Sequence, residues 1–174
     1  MTSTTAPRSA SRARSAAVLV GYLAVNAAIA AVGALVTAPN ITGWYAAAEK
    51  PSATPPDWLF APVWAVLYLL LAVGAWLIWR EHGHHARRHA LDAYAVQLAL
   101  TAFWPPVFFG MYPVLGPVAL WFALALLLLL DAAVLVLLVR ARRVRWLAAW
   151  LVAPYWLWLL YATMLNAAMA ALAR

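Results

Sequence analysis

Residues 113–139 read PVLGPVALWFALALLLLLDAAVLVLLV, an apolar run broken by one carboxylate, Asp131, and followed at once by Arg140, Arg142, Arg143 and Arg145. It exceeds the roughly 20 residues a helix needs to cross a hydrocarbon core about 30 Å thick. Within such a core a helix satisfies its own backbone hydrogen bonds, which an open strand or loop does not. Outward from this stretch lie four further apolar runs, 16–38, 60–79, 91–110 and 146–173. The chain has 174 residues, 68% hydrophobic and 10% charged, against about 25% charged in a soluble domain, and its mean hydropathy is +0.85. The sequence therefore predicts an all-α membrane protein: one five-transmembrane-helix bundle over 16–174, with no room for a soluble enzyme domain. Residues 1–15, rich in Ser, Thr, Ala and Arg without apolar periodicity, are expected to be a disordered basic cytoplasmic tail. The absence of cysteine excludes disulfides, thiolate metal sites and Cys nucleophiles.

The twelve basic residues set an orientation. Arg8, Arg12 and Arg14 precede the first run, Arg80, Arg87 and Arg88 lie between the second and third, and the four arginines quoted above lie between the fourth and fifth. Only Lys50 and Arg174 fall on the other side. The positive-inside rule then places the amino terminus in the cytoplasm and the carboxyl terminus outside, with five crossings required by parity. The pI near 10.4 reflects this asymmetry rather than a nucleic-acid partner, because the charges form no single face. A signal peptide shares the basic start, but its apolar core is about 7 to 15 residues; 16–38 is read as a retained span.

Residues 39–59, between the first two spans, hold Trp44, Tyr45, Trp58 and four prolines, including the stiff Pro55-Pro56 pair. A connection this long is functional or disordered, and its large aromatics argue for an ordered lid on the outer end. Eleven Trp, seven Tyr and five Phe make 13% of the chain aromatic. An interfacial belt accounts for Trp79, Trp146 and Trp150 at the basic boundary and for Tyr112 and Trp121 at the other. Others fall elsewhere. Trp64 and Tyr68 share a helix face at i, i+4, as do Trp158 and Ala162, with Asn166 a turn further out. Trp104 precedes Pro105 and Pro106, which donate no backbone hydrogen bond and must bend or open the third helix. This spacing fits a pocket for a flat apolar ligand and equally a packed aromatic core.

Three blocks of residues resemble the TspO/MBR family, the tryptophan-rich sensory and translocator proteins also known as peripheral-type benzodiazepine receptors. The first is Trp44-Tyr45, Lys50-Pro51-Ser52, Pro55-Pro56-Asp57-Trp58, Pro62-Val63-Trp64 and Leu67-Tyr68; the second is Gln97-Leu98-Ala99-Leu100 with Trp104 to Gly110. The third is Pro154-Tyr155, Trp158 and Tyr161 to Asn166. The resemblance favours the pocket over the core. It implies a five-helix bundle, usually a homodimer, binding porphyrins such as protoporphyrin IX and in many members sterols and synthetic isoquinolines or benzodiazepines. Its ligand contacts fall on Tyr45, Trp64, Tyr68, Trp104, Trp158, Ala162 and Leu165, and Trp64 with Trp158 match a pair implicated in light-dependent porphyrin degradation. Asn166 is added as a ligand or lid contact from its outward position.

The departures are Thr101 and Ala102, where the family often has Asn and Trp, and Ala53, where a lid Trp is common. Tyr161 is followed by no basic residue until Arg174, so the cholesterol motif is incomplete. Taken together, the expectation is a receptor or sensor in a bacterial cell membrane that needs no cofactor and takes a tetrapyrrole as ligand. The alternative is a transporter of porphyrin or another lipophile, for which the spans offer no inverted repeat or paired charges. Asp131 is the one carboxylate deep in a span, and an intramembrane acid is a functional suspect by default; without a basic partner it is read as a bundle-facing structural group. His82, His84, His85 and His89 could chelate a metal but are read as part of a solvated basic loop. Asn26 and Gln97 are read as interhelical packing groups.

Overall fold

The computed structural model describes residues 8–173. Five helices are long and apolar enough to cross a membrane: α1 (Arg8–Ile41), α3 (Asp57–Arg80), α4 (Arg87–Pro105) with the π-helical turn Pro106–Gly110 that prolongs it, α6 (Pro117–Val144) and α7 (Trp146–Leu172). Two single-turn helices, α2 (Trp44–Ala47) and α5 (Tyr112–Leu115), sit in the connections of the lid end. α1 packs on α3, α3 on α7, α7 on α6, α6 on α4 and α4 back on α1. This closes a ring in which the first span neighbours the second and third, and the last two are paired.

Several boundaries differ from the hydropathy reading. α1 is helical from Arg8, so the segment expected to be disordered up to residue 15 is helical from there on; Arg and Ala are strong helix formers that hydropathy does not register. The Trp76 indole fastens this end, with Nε1 donating to the Ser15 carbonyl at 3.0 Å. Residues 1–7, the rest of that tail, and Arg174 lie outside the described residues. The fourth span was expected to run unbroken over 113–139. Instead the chain turns at Gly116, whose φ of +59° suits only glycine, and the helix starts at Pro117 and continues to Val144. Arg140, Arg142 and Arg143 therefore lie on the last turns of α6, where they complement its dipole. The connection to α7 shrinks to Arg145, an extended residue (φ −156°, ψ 113°) whose Nη1 reaches Glu81 Oε1 at 2.6 Å.

The bend expected at Pro105-Pro106 takes the form of a widened turn. Two successive residues without N–H leave the α ladder with gaps, and the helix passes into π geometry, closed by Met111 N–H to the Pro106 carbonyl at 3.0 Å.

Small residues let α3 and α7 approach closely, as in other membrane bundles. Ala72, Gly74 and Ala75 are buried on α3, as are Ala148 and Val152 on α7. A Cβ on Gly74 would meet the Ala148 carbonyl and Val152 Cγ2 at 3.5 Å. Leu71, Ile78, Leu137, Ala141 and Val152 fill the basic half of the ring. Asn26 bridges α1 to α4, its Nδ2 donating to the Tyr94 hydroxyl, the packing role expected of it. On the outer face Leu35, Val66, Leu129 and Leu157 are more than half exposed, as helices surrounded by lipid require.

Candidate functional site

The lid consists of residues 42–56 and is tied down at three places. Trp44 stacks on Tyr112 with ring centroids 3.7 Å apart and 16° between planes, so Tyr112 belongs to the lid rather than to a lipid-facing belt. The Trp44 Nε1 donates to the Phe109 carbonyl at 3.1 Å. That carbonyl is free because its α-helical partner would be the N–H of residue 113, a proline. At the far side the Tyr161 hydroxyl donates to the Ala53 carbonyl, which pins the lid to α7 at the position where a tryptophan is common in the family. Beyond Ala53, at the junction with α3, Pro56 is extended (φ −57°, ψ 140°). Tyr45 points inward and is buried, with Lys50 Nζ 4.5 Å from its ring centroid. Burial, with the Asp57 charge adding to it, pushes its phenol up to about 12, so the ring is neutral at physiological pH. Trp44→Phe keeps the stacking but orphans the Phe109 carbonyl, at a cost of about 1 kcal/mol. Faster amide exchange over residues 44–56, with α6 unchanged, is the expected result; unchanged exchange would place the latch elsewhere.

Beneath the lid the ring of helices encloses a cavity of about 440 Å³, within the range that holds drug-sized ligands. All eight residues singled out from the sequence line it: Tyr45 from the lid, Trp64 and Tyr68 from α3, Trp104 from α4, and Trp158, Ala162, Leu165 and Asn166 from α7. The rings form two groups. Trp64 leans on Tyr68 at 5.5 Å and meets Tyr155 edge-on at 6.1 Å, while Trp158 contacts Phe60 and Tyr161 at 6.0 and 5.6 Å. Across the space Trp104 stacks on Phe108 at 4.8 Å. The π turn brings Phe108 and Phe109 to the cavity, which the sequence reading missed. It also missed the remaining walls: the small residues Gly33 and Thr37 of α1, and the aliphatic Leu127 and Leu130 of α6.

Polar groups are few. Thr101 Oγ1 donates to the Gln97 carbonyl at 2.8 Å, so in the 2.6 Å contact with Tyr155 the tyrosine hydroxyl is the donor. The threonine that replaces the family's carboxamide is thus fully engaged. Asn166 Nδ2 bonds the Leu120 carbonyl at 3.1 Å. Its Oδ1 and the Trp104 Nε1 are buried without partners: one acceptor and one donor on cavity-lining residues. Asp57 is the only charged lining residue among those described.

The remaining candidates lie apart from the cavity. Asp131 accepts from Thr163 Oγ1 at 2.7 Å and joins α6 to α7. Gln97 is fully buried in the bundle. His84 stacks on His85 and His82 meets Trp79 edge-on; among the described residues no three His, Asp or Glu side chains are grouped to hold a metal ion. Trp146, Trp150 and Trp121 are exposed on the outer face, as an interfacial belt requires.

A model of the TspO/MBR family matches residues 22–172. The chain belongs to the TspO/MBR family. Among its TspO/MBR relatives, the human translocator protein is 40% identical over 71% of this chain and 70% of its own length. The tryptophan-rich protein TspO of Archaeoglobus fulgidus is 34% identical over 85% of this chain and 92% of its own, and the CrtK protein of Rhodobacter capsulatus is 32% identical over 83% and 86%. With five apolar helices, this TspO/MBR member is an integral, multi-pass membrane protein.

Proposed function

We propose that the protein is a membrane receptor or sensor that binds tetrapyrroles and similar flat, largely apolar molecules in the cavity beneath the lid. The observation that carries this reading is the cavity itself: about 440 Å³ enclosed between five helices, with indole and phenol rings from α3, α4 and α7 facing a common space. Flat aromatic ligands gain burial and ring stacking there. The unpartnered Trp104 Nε1 and Asn166 Oδ1 belong to lining residues but are themselves buried, so burial and ring stacking rather than hydrogen bonds support the binding. The names of relatives, tryptophan-rich sensory protein among them, are consistent with a sensing role. The positive-inside rule supports placing the basic end in the cytoplasm of a bacterial cell, and the family resemblance supports a homodimer.

Protoporphyrin IX titrated into purified protein is expected to quench tryptophan fluorescence saturably; no quenching in detergent or in bilayers would refute the reading. As a side activity, light-dependent porphyrin breakdown is assigned to Trp64 and Trp158. Trp158→Phe keeps the apolar wall and is expected to leave binding within about threefold, less than 1 kcal/mol, while slowing photobleaching of the bound porphyrin. An unchanged bleaching rate would remove Trp158 from that chemistry.

A further inference from the structure

We propose a second binding site, at the basic end of the bundle between α1 and α3, for an anionic phosphate group. It lies at the opposite end from the lidded cavity and does not depend on what that cavity binds. The hollow there measures about 770 Å³ and is lined by Arg12, Arg14 and Leu19 from α1, by Trp76, Trp79 and Arg80 from α3, and by His82 just beyond it. Three arginines therefore border one open hollow, and among the described residues none of them has a carboxylate within ion-pair distance. The one ion pair among the described residues takes Glu81 to Arg145, and the sequence before Arg8 contains no acid. Like charges gathered without a counter-charge repel one another until an anion joins them.

The floor is built as well as the rim. Trp76 is fixed by Nε1 donating to Ser15, and Arg80 lies over its face, Cζ 4.7 Å from the ring centroid, which holds the guanidinium plane in place. His82 donates Nδ1–H to the Arg80 carbonyl at 2.8 Å, since a carbonyl only accepts, and this leaves Nε2 free. Arginine forks match phosphate oxygens bidentately, and Leu19 and the two indoles offer apolar surface beside them. That combination suits a lipid headgroup whose acyl chains lie against the outer face of the bundle; the same arginines would take a free phosphate ion.

The experiment is native mass spectrometry of the detergent-solubilised full chain. It is titrated with short-chain phosphatidylglycerol, with short-chain phosphatidylcholine as the zwitterionic control, and with phosphatidylglycerol in the presence of inorganic phosphate. Retention of phosphatidylglycerol over phosphatidylcholine, undisturbed by millimolar phosphate, assigns the site to a lipid headgroup. Displacement by millimolar phosphate assigns it to the free ion. The triple variant R12Q/R14Q/R80Q should weaken binding about 100-fold, and R12K/R14K/R80K, which keeps the charge but loses the forks, should restore only part of it. R142Q/R143Q, which removes two charges outside the hollow, should change little. Equal retention of the two lipids, or equal loss in R142Q/R143Q and R12Q/R14Q/R80Q, would overturn the proposal. Circular dichroism and the melting temperature establish that each variant is folded.

Discussion

Ala162→Phe is expected to abolish protoporphyrin IX binding while leaving the protein as stable as before. Ala162 lines the cavity one turn from Trp158, and its methyl group faces space already empty of protein atoms. A phenyl ring there occupies the volume between the α3 and α7 aromatics without pushing the helices apart. The expected loss is at least about 100-fold in Kd, or about 3 kcal/mol, read by fluorescence quenching. Ala162→Ser changes the volume little and should bind nearly as the parent does. Full binding by a folded Ala162→Phe protein would show that porphyrin sits elsewhere and would withdraw the proposed function with it.

The second large effect is on folding. Gly74→Leu drives a branched side chain into the α3–α7 crossing, where the Ala148 carbonyl and Val152 already stand 3.5 Å from where a Cβ would be. Overpacking of this kind costs about 1–3 kcal/mol, a fall of about 3–10 °C in melting temperature for a chain of this size. Gly74→Ala is the informative partner. Its Cβ makes ordinary contacts and removes the flexibility of a mid-helix glycine, so it should match or exceed the parent by up to about 1 kcal/mol. A large destabilisation by alanine would mean that the two helices lie closer than described.

The five crossings were legible because each is a long apolar run with few charges, a signal that survives errors at its ends. The ends were misread for local reasons. Hydropathy stops where arginine begins, yet Arg8 to Arg14 continue α1 and Arg140 to Arg143 continue α6, since arginine favours helix as strongly as most apolar residues do. Gly116 looked harmless inside an apolar stretch, and only its backbone angle shows that the helix restarts there. Pro105-Pro106 announced a distortion, but that the widened turn also receives a lid tryptophan, on the carbonyl that Pro113 leaves free, is a contact across 65 positions of sequence.

The candidate site was readable to the extent that its residues carry rings. Tryptophan and tyrosine at helical spacing marked three walls, and the family resemblance separated a pocket from a packed core. Gly33, Leu127 and Leu130 complete the enclosure, but small and aliphatic residues look the same whether they face lipid, a neighbouring helix or a void. The arginines of the basic hollow were read only as orientation signals, because nothing in their spacing shows that Arg12, Arg14 and Arg80 come together.

Arg145 has a consequence for how the folded chain can move. One extended residue joins two helices that are each about 40 Å long at 1.5 Å per residue, too little chain for them to part at that end once both are formed. The final third of the protein is therefore a hairpin whose two arms shift together. The contact from its tip to Glu81 links that hairpin to the residue that follows α3.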